Sequence, residues 1–207
     1  MLIFVAMIAV ITGDIIKSES SESSLWINPL KGLLKNWGKS PGEWEIYRGD
    51  EFQLKCEIDE VFKIFLAINS LVKSNENLDV RMAIGIGNEN FSSEKITESN
   101  GSAYVNSGRL LNEIKTDGKT LSIKTPNERV DYDLNIVFKW ASIDFDGWTP
   151  AVAEIIHLFI MNEGITQEDI AKKLNITQSS VSQRLKRANL DLITETDKFF
   201  RKKIAEL

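Results

Sequence analysis

Ten consecutive apolar residues near the start of the chain, residues 2–11 (LIFVAMIAVI), constrain its fold most strongly. The run is too short to cross a bilayer, which takes about 20 residues. It also lacks the basic leader and the small-residue cleavage site of an export signal. Because it is rich in Val and Ile and ends at a Thr-Gly-Asp sequence, it predicts a strand that is buried on both faces of a sheet.

The composition is that of a globular protein, with 43% hydrophobic and 27% charged residues and a net charge of −5. Cys56 is the only cysteine and His157 the only histidine, which excludes a disulfide framework and thiol or imidazole metal sites. We therefore expect a reducing, cytoplasmic setting and no membrane partner. The acidity belongs to the first 148 residues, which carry 16 basic and 22 acidic side chains, against 9 and 8 afterwards. This asymmetry predicts two modules with different partners.

Hydrophobic periodicity and turn residues predict an α+β fold with an all-helical tail. The predicted order is strand, helix, hairpin, helix, strand, helix, strand, followed by a helix over residues 129–142. We divide the chain into a sheet domain (residues 1–128), a connecting helix and linker (129–148) and a helical domain (149–207). Trp140 and Trp148 are expected to pack at the junction between the modules, and His157 to be a core or interface histidine.

The helical domain has the pattern of a helix-turn-helix. Thr166, followed three residues later by Asp169, forms a capping-box pattern at the start of its second helix. Asn175 lies in the following turn, where a left-handed backbone is usually needed and Asn tolerates it. The third helix is predicted to begin at Gln178.

The outward positions at this third helix are polar or basic. Short polar groups and amides suit base edges, whereas cations suit phosphates. Residues 169–188 resemble region 4 of sigma factors and related response-regulator output domains, which implies that the third helix enters the major groove of double-stranded DNA. The alternative is a helical hairpin with a solvated basic face. The predicted DNA-binding residues are Thr177, Gln178, Ser179, Ser180, Ser182, Gln183, Arg184, Lys186 and Arg187.

Two aspartates are candidate metal ligands in the sheet domain. Asp14 is predicted to lie at the carboxyl end of the first strand, and Asp50 at the tip of the hairpin. Carboxylates at strand ends and adjacent turns jointly hold Mg²⁺ in many phosphotransfer folds, where the ion bridges nucleotide phosphates. Mg²⁺ and a nucleotide are therefore the expected cofactors. The structural alternative is a turn-forming role for Asp50 and a helix N-cap for Asp14.

Four motifs resemble nucleotide cyclases, in the same order. Residues 48–52 (RGDEF) resemble the signature of diguanylate cyclases without its first glycine. Residues 13–15 (GDI), 80–87 (VRMAIGIG) and 101–110 resemble the metal-binding strand, the glycine-ended strand and the transition-state helix of class III cyclases. The resemblance implies a palm-like mixed sheet with metal ligands Asp14 and Asp50, nucleotide-binding residues Gly13, Arg48, Gly49 and Glu51, and catalytic residues Asn106 and Arg109.

Several cyclase positions are altered in this chain. Asn106 lies three residues before Arg109, whereas the cyclase pattern has four. Ile46 stands where a Lys or Glu selects the base, and the missing glycine removes backbone room for a guanine nucleotide. The metal carboxylates are thus retained while the purine-selecting and transition-state groups differ, so catalysis is left open.

The combination of modules resembles the SatD family of small bacterial proteins, on residues 7–15, 47–50 and 182–188. The leading expectation is a DNA-binding transcription regulator with a degenerate cyclase-like domain that binds nucleotide or Mg²⁺, or mediates homodimerisation. One alternative is a metal-dependent nucleotide cyclase or nucleotidyl transferase regulated by its tail. Another is a non-catalytic protein-interaction module.

Overall fold

A computed structural model describes residues 7–20 and 22–207, which form the predicted α+β fold. Within these residues no helix combines the length and apolarity needed to cross a membrane. The described part contains five strands: β1 (Met7–Ile16), β2 (Trp44–Tyr47), β3 (Glu51–Cys56), β4 (Asp79–Asn88) and β5 (Leu121–Lys124). It also contains eight α-helices: α1 (Ser24–Leu34), α2 (Val61–Lys73), α3 (Ser102–Asp117), α4 (Glu128–Asp146), α5 (Pro150–Met161), α6 (Gln167–Leu174), α7 (Gln178–Arg187) and α8 (Leu190–Ile204).

The five strands form one mixed sheet in the order β2-β3-β1-β4-β5. The central β1 runs antiparallel to both β3 and β4, and β5 is parallel to β4. On one face, Ile11 and Ile15 join the main core with α1 and α2, while Val10 packs on the other face against α3. The predicted strand is thus confirmed for residues 7–11, of which Ala9, Val10 and Ile11 are buried and Met7 and Ile8 half-buried. Residues 2–6 lie outside the described part.

The first strand is longer at its carboxyl end than the sequence suggests. Ile15 and Ile16 pair with Val80 and Asp79 of β4, so the strand continues to Ile16. Asp14 therefore lies inside β1, two residues before the carboxyl end of the strand at which it was predicted. The polar Asp14 is accommodated because alternate residues of a strand point to opposite faces, which leaves Ile15 in the core.

The hydrophobic core continues from the sheet into the C-terminal helices. Phe62 of α2 stacks on Phe138 of α4 at 6.1 Å between ring centroids, and on Phe200 of α8 at 5.9 Å. His157 of α5 makes a 3.1 Å hydrogen bond through Nδ1 with the carbonyl oxygen of Ala67 in α2. The helix α2 thus packs against the sheet on one side and against the C-terminal helices on the other.

The two junction tryptophans have different environments. Trp148 is buried and meets the ring of Phe145 edge-on at 5.0 Å, as expected for a junction residue. Trp140 is 73% exposed, contrary to the expectation. It lies two residues after the buried Phe138, and positions two apart on a helix do not share a face.

The outer edge of the sheet is closed by a side chain. Asn135 of α4 donates through Nδ2 to the carbonyl oxygen of Ile123 at 2.8 Å and accepts from the Ile123 amide through Oδ1 at 2.9 Å. The amide of Asn135 thus satisfies two backbone groups of β5 that a neighbouring strand would otherwise pair. A covered edge does not recruit strands from other chains.

We expect Phe200→Ala to destabilise the whole protein. The side chain is fully buried, and truncating such a phenylalanine costs about 3–5 kcal/mol in lost burial and cavity formation. Denaturant unfolding should show one cooperative transition at lower denaturant concentration, followed by both far-UV dichroism and tryptophan fluorescence. The control Leu192→Ala, at a 57% exposed position of the same helix, should change the free energy of unfolding by less than about 1 kcal/mol. Separate transitions for sheet and tail would contradict a shared core.

Candidate functional sites

A row of polar and ionisable side chains crosses four strands on the α3 face of the sheet. The register pairs Asp14 of β1 with Glu51 of β3 and with Arg81 of β4. It also pairs Glu51 with Tyr47 of β2. Residues directly opposite each other in neighbouring strands share a face of the sheet. Tyr47, Glu51, Asp14 and Arg81 therefore lie side by side, and we call them the ionic row.

Lys115 of α3 joins the ionic row. Its Nζ lies 2.9 Å from Oε1 of Glu51 and 3.8 Å from Oδ2 of Asp14. Arg81 donates through Nη1 to the same Asp14 oxygen at 3.2 Å. Neither cation was among the predicted site residues. The alternation of residues 80–87 placed Arg81 in a strand, but only the register shows that it faces Asp14.

Burial of the Asp14 carboxyl group is energetically unfavourable. The residue is 7% exposed, and its Oδ1 is buried without a hydrogen-bond partner. Burial raises the pKa of Asp14 above its ordinary value, although Lys115 and Arg81 lower it. A buried polar atom without a partner calls for an explanation, and a carboxyl group with a raised pKa is typical of functional sites.

The β2–β3 turn brings Asp50 to the end of β1. Arg48 and Gly49 both have left-handed backbones, with φ of 52° and 90°. The carbonyl oxygen of Asp50 accepts from the Ile15 amide at 3.1 Å, and its Oδ2 accepts from Ser18 Oγ at 3.0 Å. Arg48 Nη1 lies 3.8 Å from Oε2 of Glu51. The fold thus gathers Asp14, Arg48, Gly49, Asp50 and Glu51 at one end of the sheet.

The side chains around Asp14 fit a resident Mg²⁺ poorly. Lys115 and Arg81 already neutralise Asp14, and Asp50 uses one carboxylate oxygen for Ser18. Across residues 7–20 and 22–207 there is no group of three or more His, Cys, Asp or Glu side chains that could hold a metal ion. The ammonium of Lys115 lies within reach of both Asp14 and Glu51, which is the position that a bridging cation would take.

The predicted transition-state residues lie apart from the ionic row. The sheet-facing side of α3 carries Ser107, whose Oγ accepts from Thr12 of β1 at 2.9 Å, and Lys115 follows two turns later. Arg109 is exposed and Asn106 half-buried. Among the hydrogen bonds and ion pairs of the described residues, none links Asn106 or Arg109 to the ionic row.

Gly13, a predicted nucleotide-binding residue, has a packing role. A Cβ atom at this position would collide with the ring of Phe52 and with the carbonyl oxygen of Arg81. The absence of a side chain therefore lets the buried Phe52 ring lie across β1. Packing alone therefore accounts for a glycine at this position, and no bound ligand is needed to explain it.

The α6–α7 pair has the predicted capping and turn chemistry. Thr166 and Asp169 form a reciprocal capping box at the start of α6. Asn175 follows α6 with φ 52° and ψ 45°, which is the left-handed conformation. Thr177 then caps α7, because its Oγ1 accepts from the Ser180 amide at 3.1 Å. The turn between the two helices is therefore tightly defined by hydrogen bonds.

The helix α7 turns a polar face to solvent. Only Val181 and Leu185 are buried in this helix, which has three basic and no acidic residues. At the start of α7, Gln178 donates through Nε2 to Oε1 of Gln167 at 2.7 Å, which ties the beginnings of α6 and α7 together. Of the predicted DNA-binding residues, Ser180 and Arg184 are half-buried; the exposed ones are Thr177, Gln178, Ser179, Ser182, Gln183, Lys186 and Arg187.

The chain is thus an α+β protein whose sheet carries a buried ionic site and whose tail contains a helix with a basic and polar face. The model of the SatD family matches residues 7–204. The chain therefore belongs to the SatD family. No curated protein matches it.

We expect Asp14→Asn to stabilise the protein at pH 7. Because burial holds the pKa of Asp14 above that of the unfolded chain, the charged form costs stability once the pH exceeds the ordinary value of 3.8. The gain should therefore disappear as the pH falls below that value, where both states are protonated. Urea titrations between pH 3 and 8 measure this difference, with the exposed Asp117→Asn as control. A loss of stability at pH 7 would show that the carboxylate serves the fold.

Proposed function

We propose that this protein is a DNA-binding transcription regulator in which α6, the following turn and α7 form a helix-turn-helix. The exposed face of α7, which lacks acidic residues, is the observation that carries the proposal. An acidic side chain on this face would repel phosphates, and phosphate attraction supplies much of the affinity of such proteins. The helix α7 is the recognition helix in this proposal.

The residue types of α7 follow the division of labour in major-groove readers. Ser179 and Gln183 lie opposite the buried Val181 and Leu185 and would meet base edges, where a Gln side chain can bind adenine through two hydrogen bonds. Lys186 is exposed one turn further along the helix and would meet the phosphate backbone. The first turn, capped by Thr177, presents free backbone amides, which favour a phosphate.

The sheet domain is proposed to be a degenerate cyclase-like palm. The order β1-α1-β2-β3-α2-β4, with antiparallel neighbours in the arrangement β2-β3-β1-β4, supports this fold because it is a split β-α-β arrangement. Arg48 also adopts a left-handed backbone at the position of the missing glycine. In this proposal the ionic row and the adjacent turn bind a nucleotide, or the domain pairs two copies of the chain.

The continuous core supports regulation of α7 by the sheet domain. The helix α5 packs on both α2 and α7, and α8 packs on α2 and α4. A ligand that shifts the sheet relative to α2 would move α7 as well, because packed helices move together rather than deform. Domain boundaries at residues 128 and 149 then mark modules that differ in role but share one core.

We predict that replacing both Arg184 and Lys186 by Ala weakens binding to duplex DNA and flattens its salt dependence. Each lost phosphate contact should lower the slope of log K against log salt concentration by roughly 0.9. Fluorescence anisotropy with a labelled duplex at several salt concentrations measures both effects. The matched control removes two exposed lysines from the region of α1, with Lys31→Ala and Lys35→Ala together.

The control variant should keep the slope and most of the affinity of the unaltered chain. If the α7 variant binds like the control, the helix does not contact DNA. The proposal of a protein-interaction module would then replace it, since the same exposed face of α7 also suits a protein partner.

A nucleotide-processing enzyme is the second candidate, and the buried Asp14 favours it. An unpartnered carboxylate oxygen beside two cations resembles a site held ready for a ligand. An enzyme of this kind needs the Lys115 ammonium to leave Asp14 before Mg²⁺ binds there. Our leading proposal instead keeps Lys115 in place and gives the site a binding role.

We predict nucleotide binding without turnover at the ionic row. Each nucleoside triphosphate is incubated with the protein and Mg²⁺ or Mn²⁺, products are separated by chromatography, and binding is followed by calorimetry. Lys115→Met should reduce any binding by roughly 10-fold or more, because a hydrogen bond to a charged group contributes about 1.5–3 kcal/mol and about 1.4 kcal/mol corresponds to a factor of ten. A cyclic or pyrophosphate product that Asp50→Asn abolishes would favour the enzyme.

A further inference from the structure

The starts of α6 and α7 are joined by a hydrogen bond between two glutamine side chains. Gln167 is the first residue of α6, and Gln178 is the first residue of α7. Nε2 of Gln178 donates to Oε1 of Gln167 at 2.7 Å. Among residues 7–20 and 22–207, neither side chain takes part in another hydrogen bond. Because Gln178 is exposed, the bond holds its amide group at the surface in a defined position.

The fold itself depends little on this hydrogen bond. The bond lies where water competes for both amides, and it orders two long side chains, which costs conformational entropy. The turn between the helices is already held by other groups, since Thr166 and Asp169 form the capping box of α6 and Thr177 caps α7. What the bond adds is the direction of the Gln178 amide.

Gln178 differs from the other polar side chains of α7 in being ordered and still able to bind. The hydroxyl groups of Thr177 and Ser180 lie 2.9 Å apart and are bonded to each other. Gln183 is exposed, and no hydrogen bond within the described part of the chain holds its side chain, so a ligand would have to order it. For Gln178 the neighbouring Gln167 does this before a ligand binds, and such preorganisation lowers the cost of binding.

The groups that remain on the Gln178 amide match one base. A glutamine amide has two N–H donors and an oxygen that can accept two hydrogen bonds. With one N–H bound to Gln167, the other N–H and the Oε1 oxygen remain. In the major groove adenine presents the N7 acceptor beside its N6 amino donor, whereas guanine presents two acceptors, N7 and O6. Gln178 can therefore form two hydrogen bonds with adenine, but at guanine its oxygen would face another acceptor.

The charges around the glutamine pair are balanced. The helix α6 has two acidic residues in its first turn and two lysines in its last. Glu168 and Lys172 border, with Gln178, a shallow concavity of about 500 Å³. The Asp169 carboxylate accepts from the amide and the hydroxyl of Thr166. The start of α6 therefore has no net attraction for phosphates, and in this arrangement the cations of α7 supply affinity while Gln178 selects the base.

We infer that Gln178 reads an adenine in the major groove and that Gln167 is the residue that positions it. Nε2 of Gln178 donates its second hydrogen to N7 of the adenine, Oε1 accepts from the N6 amino group, and the bond to Gln167 is kept. This inference rests on the proposed DNA-binding function and names the base that the start of α7 selects. Selection of adenine and salt-dependent binding are measured separately, so one can fail while the other stands.

The first experiment selects duplexes from a pool with a randomised central segment, using the full chain, and sequences the enriched duplexes. The unaltered protein should enrich an A·T pair at one fixed position of the site. Gln178→Ala should lose the preference at that position and keep the others. Gln183→Ala, the matched control on the same helix, should keep the adenine. Circular dichroism confirms that each variant is folded.

The second experiment changes the base instead of the protein. In an enriched duplex the selected adenine is replaced by 7-deazaadenine, which lacks the N7 acceptor and still pairs with thymine. Fluorescence anisotropy should show roughly 10-fold weaker binding by the unaltered chain, which corresponds to about 1.4 kcal/mol. Gln178→Ala should bind the two duplexes equally, because the group that contacts N7 is then already missing.

The positioning role is tested with Gln167→Met, which keeps the length of the side chain and removes its hydrogen-bonding groups. This variant should bind the adenine duplex roughly threefold more weakly, because the Gln178 amide then has to be ordered during binding. The slope of binding against salt concentration and the urea midpoint of unfolding should not change. A lower midpoint with unchanged binding would show that the pair serves the fold, and would overturn the positioning role.

Equal binding of the adenine and 7-deazaadenine duplexes by the unaltered chain overturns the inference. So does a selection in which no A·T position is enriched. The DNA-binding proposal stands in both cases if Arg184 and Lys186 still set the salt dependence. Loss of the same adenine preference in Gln183→Ala overturns the assignment to Gln178, and a chain that binds no duplex overturns both proposals.

Discussion

The mutual stacking of Phe62, Phe138 and Phe200 joins the two parts of this protein. These three rings come from α2, α4 and α8, and all are fully buried. Aromatic pairs at about 6 Å between centroids gain about 0.5–1.5 kcal/mol beyond the burial of their area. Because the cluster lies between the sheet and the tail, neither part can move far without exposing apolar surface. The charge asymmetry therefore does not mark two separate hydrophobic cores.

In the ionic row, by contrast with the aromatic cluster, burial is unfavourable. Asp14 lies where burial opposes its charge, and Lys115 and Arg81 offset only part of that cost. A carboxylate in this position costs stability at neutral pH, and a neutral side chain of similar shape would serve the fold better. Our proposal assigns the unpartnered Oδ1 oxygen to the recognition of a ligand. The ammonium of Lys115 is the internal counter-ion of Asp14 and Glu51.

Local patterns in the sequence predicted most of the elements and the α6–α7 turn. The apolar run, the Thr166 capping box and the left-handed Asn175 are set by residues close in the chain, so short-range chemistry is sufficient for them. Lys115 could not be predicted as a site residue because its partners, Glu51 and Asp14, lie far from it in the chain. The exposure of Trp140 was missed for a related reason. A tryptophan is usually expected to be buried, and the sequence alone does not show which face of α4 points to solvent.

The edge of the sheet required the structure as well. Asn135 forms hydrogen bonds with both backbone groups of Ile123. The sequence alone does not indicate this role, because an Asn on a helix can have many others. The contrast has a physical basis. Capping and turn preferences act over three or four residues, whereas register, helix direction and edge protection arise only when distant segments meet.

Hydrogen–deuterium exchange of the full chain with duplex DNA tests the central claim most directly. At low salt, the duplex should slow exchange in α7 and in the turn before it, and added salt should reverse this protection. The amides of β1, at the centre of the sheet, should exchange at an unchanged rate. Protection confined to the sheet domain, or no protection at any salt concentration, would contradict the account of α7 as a DNA-reading helix.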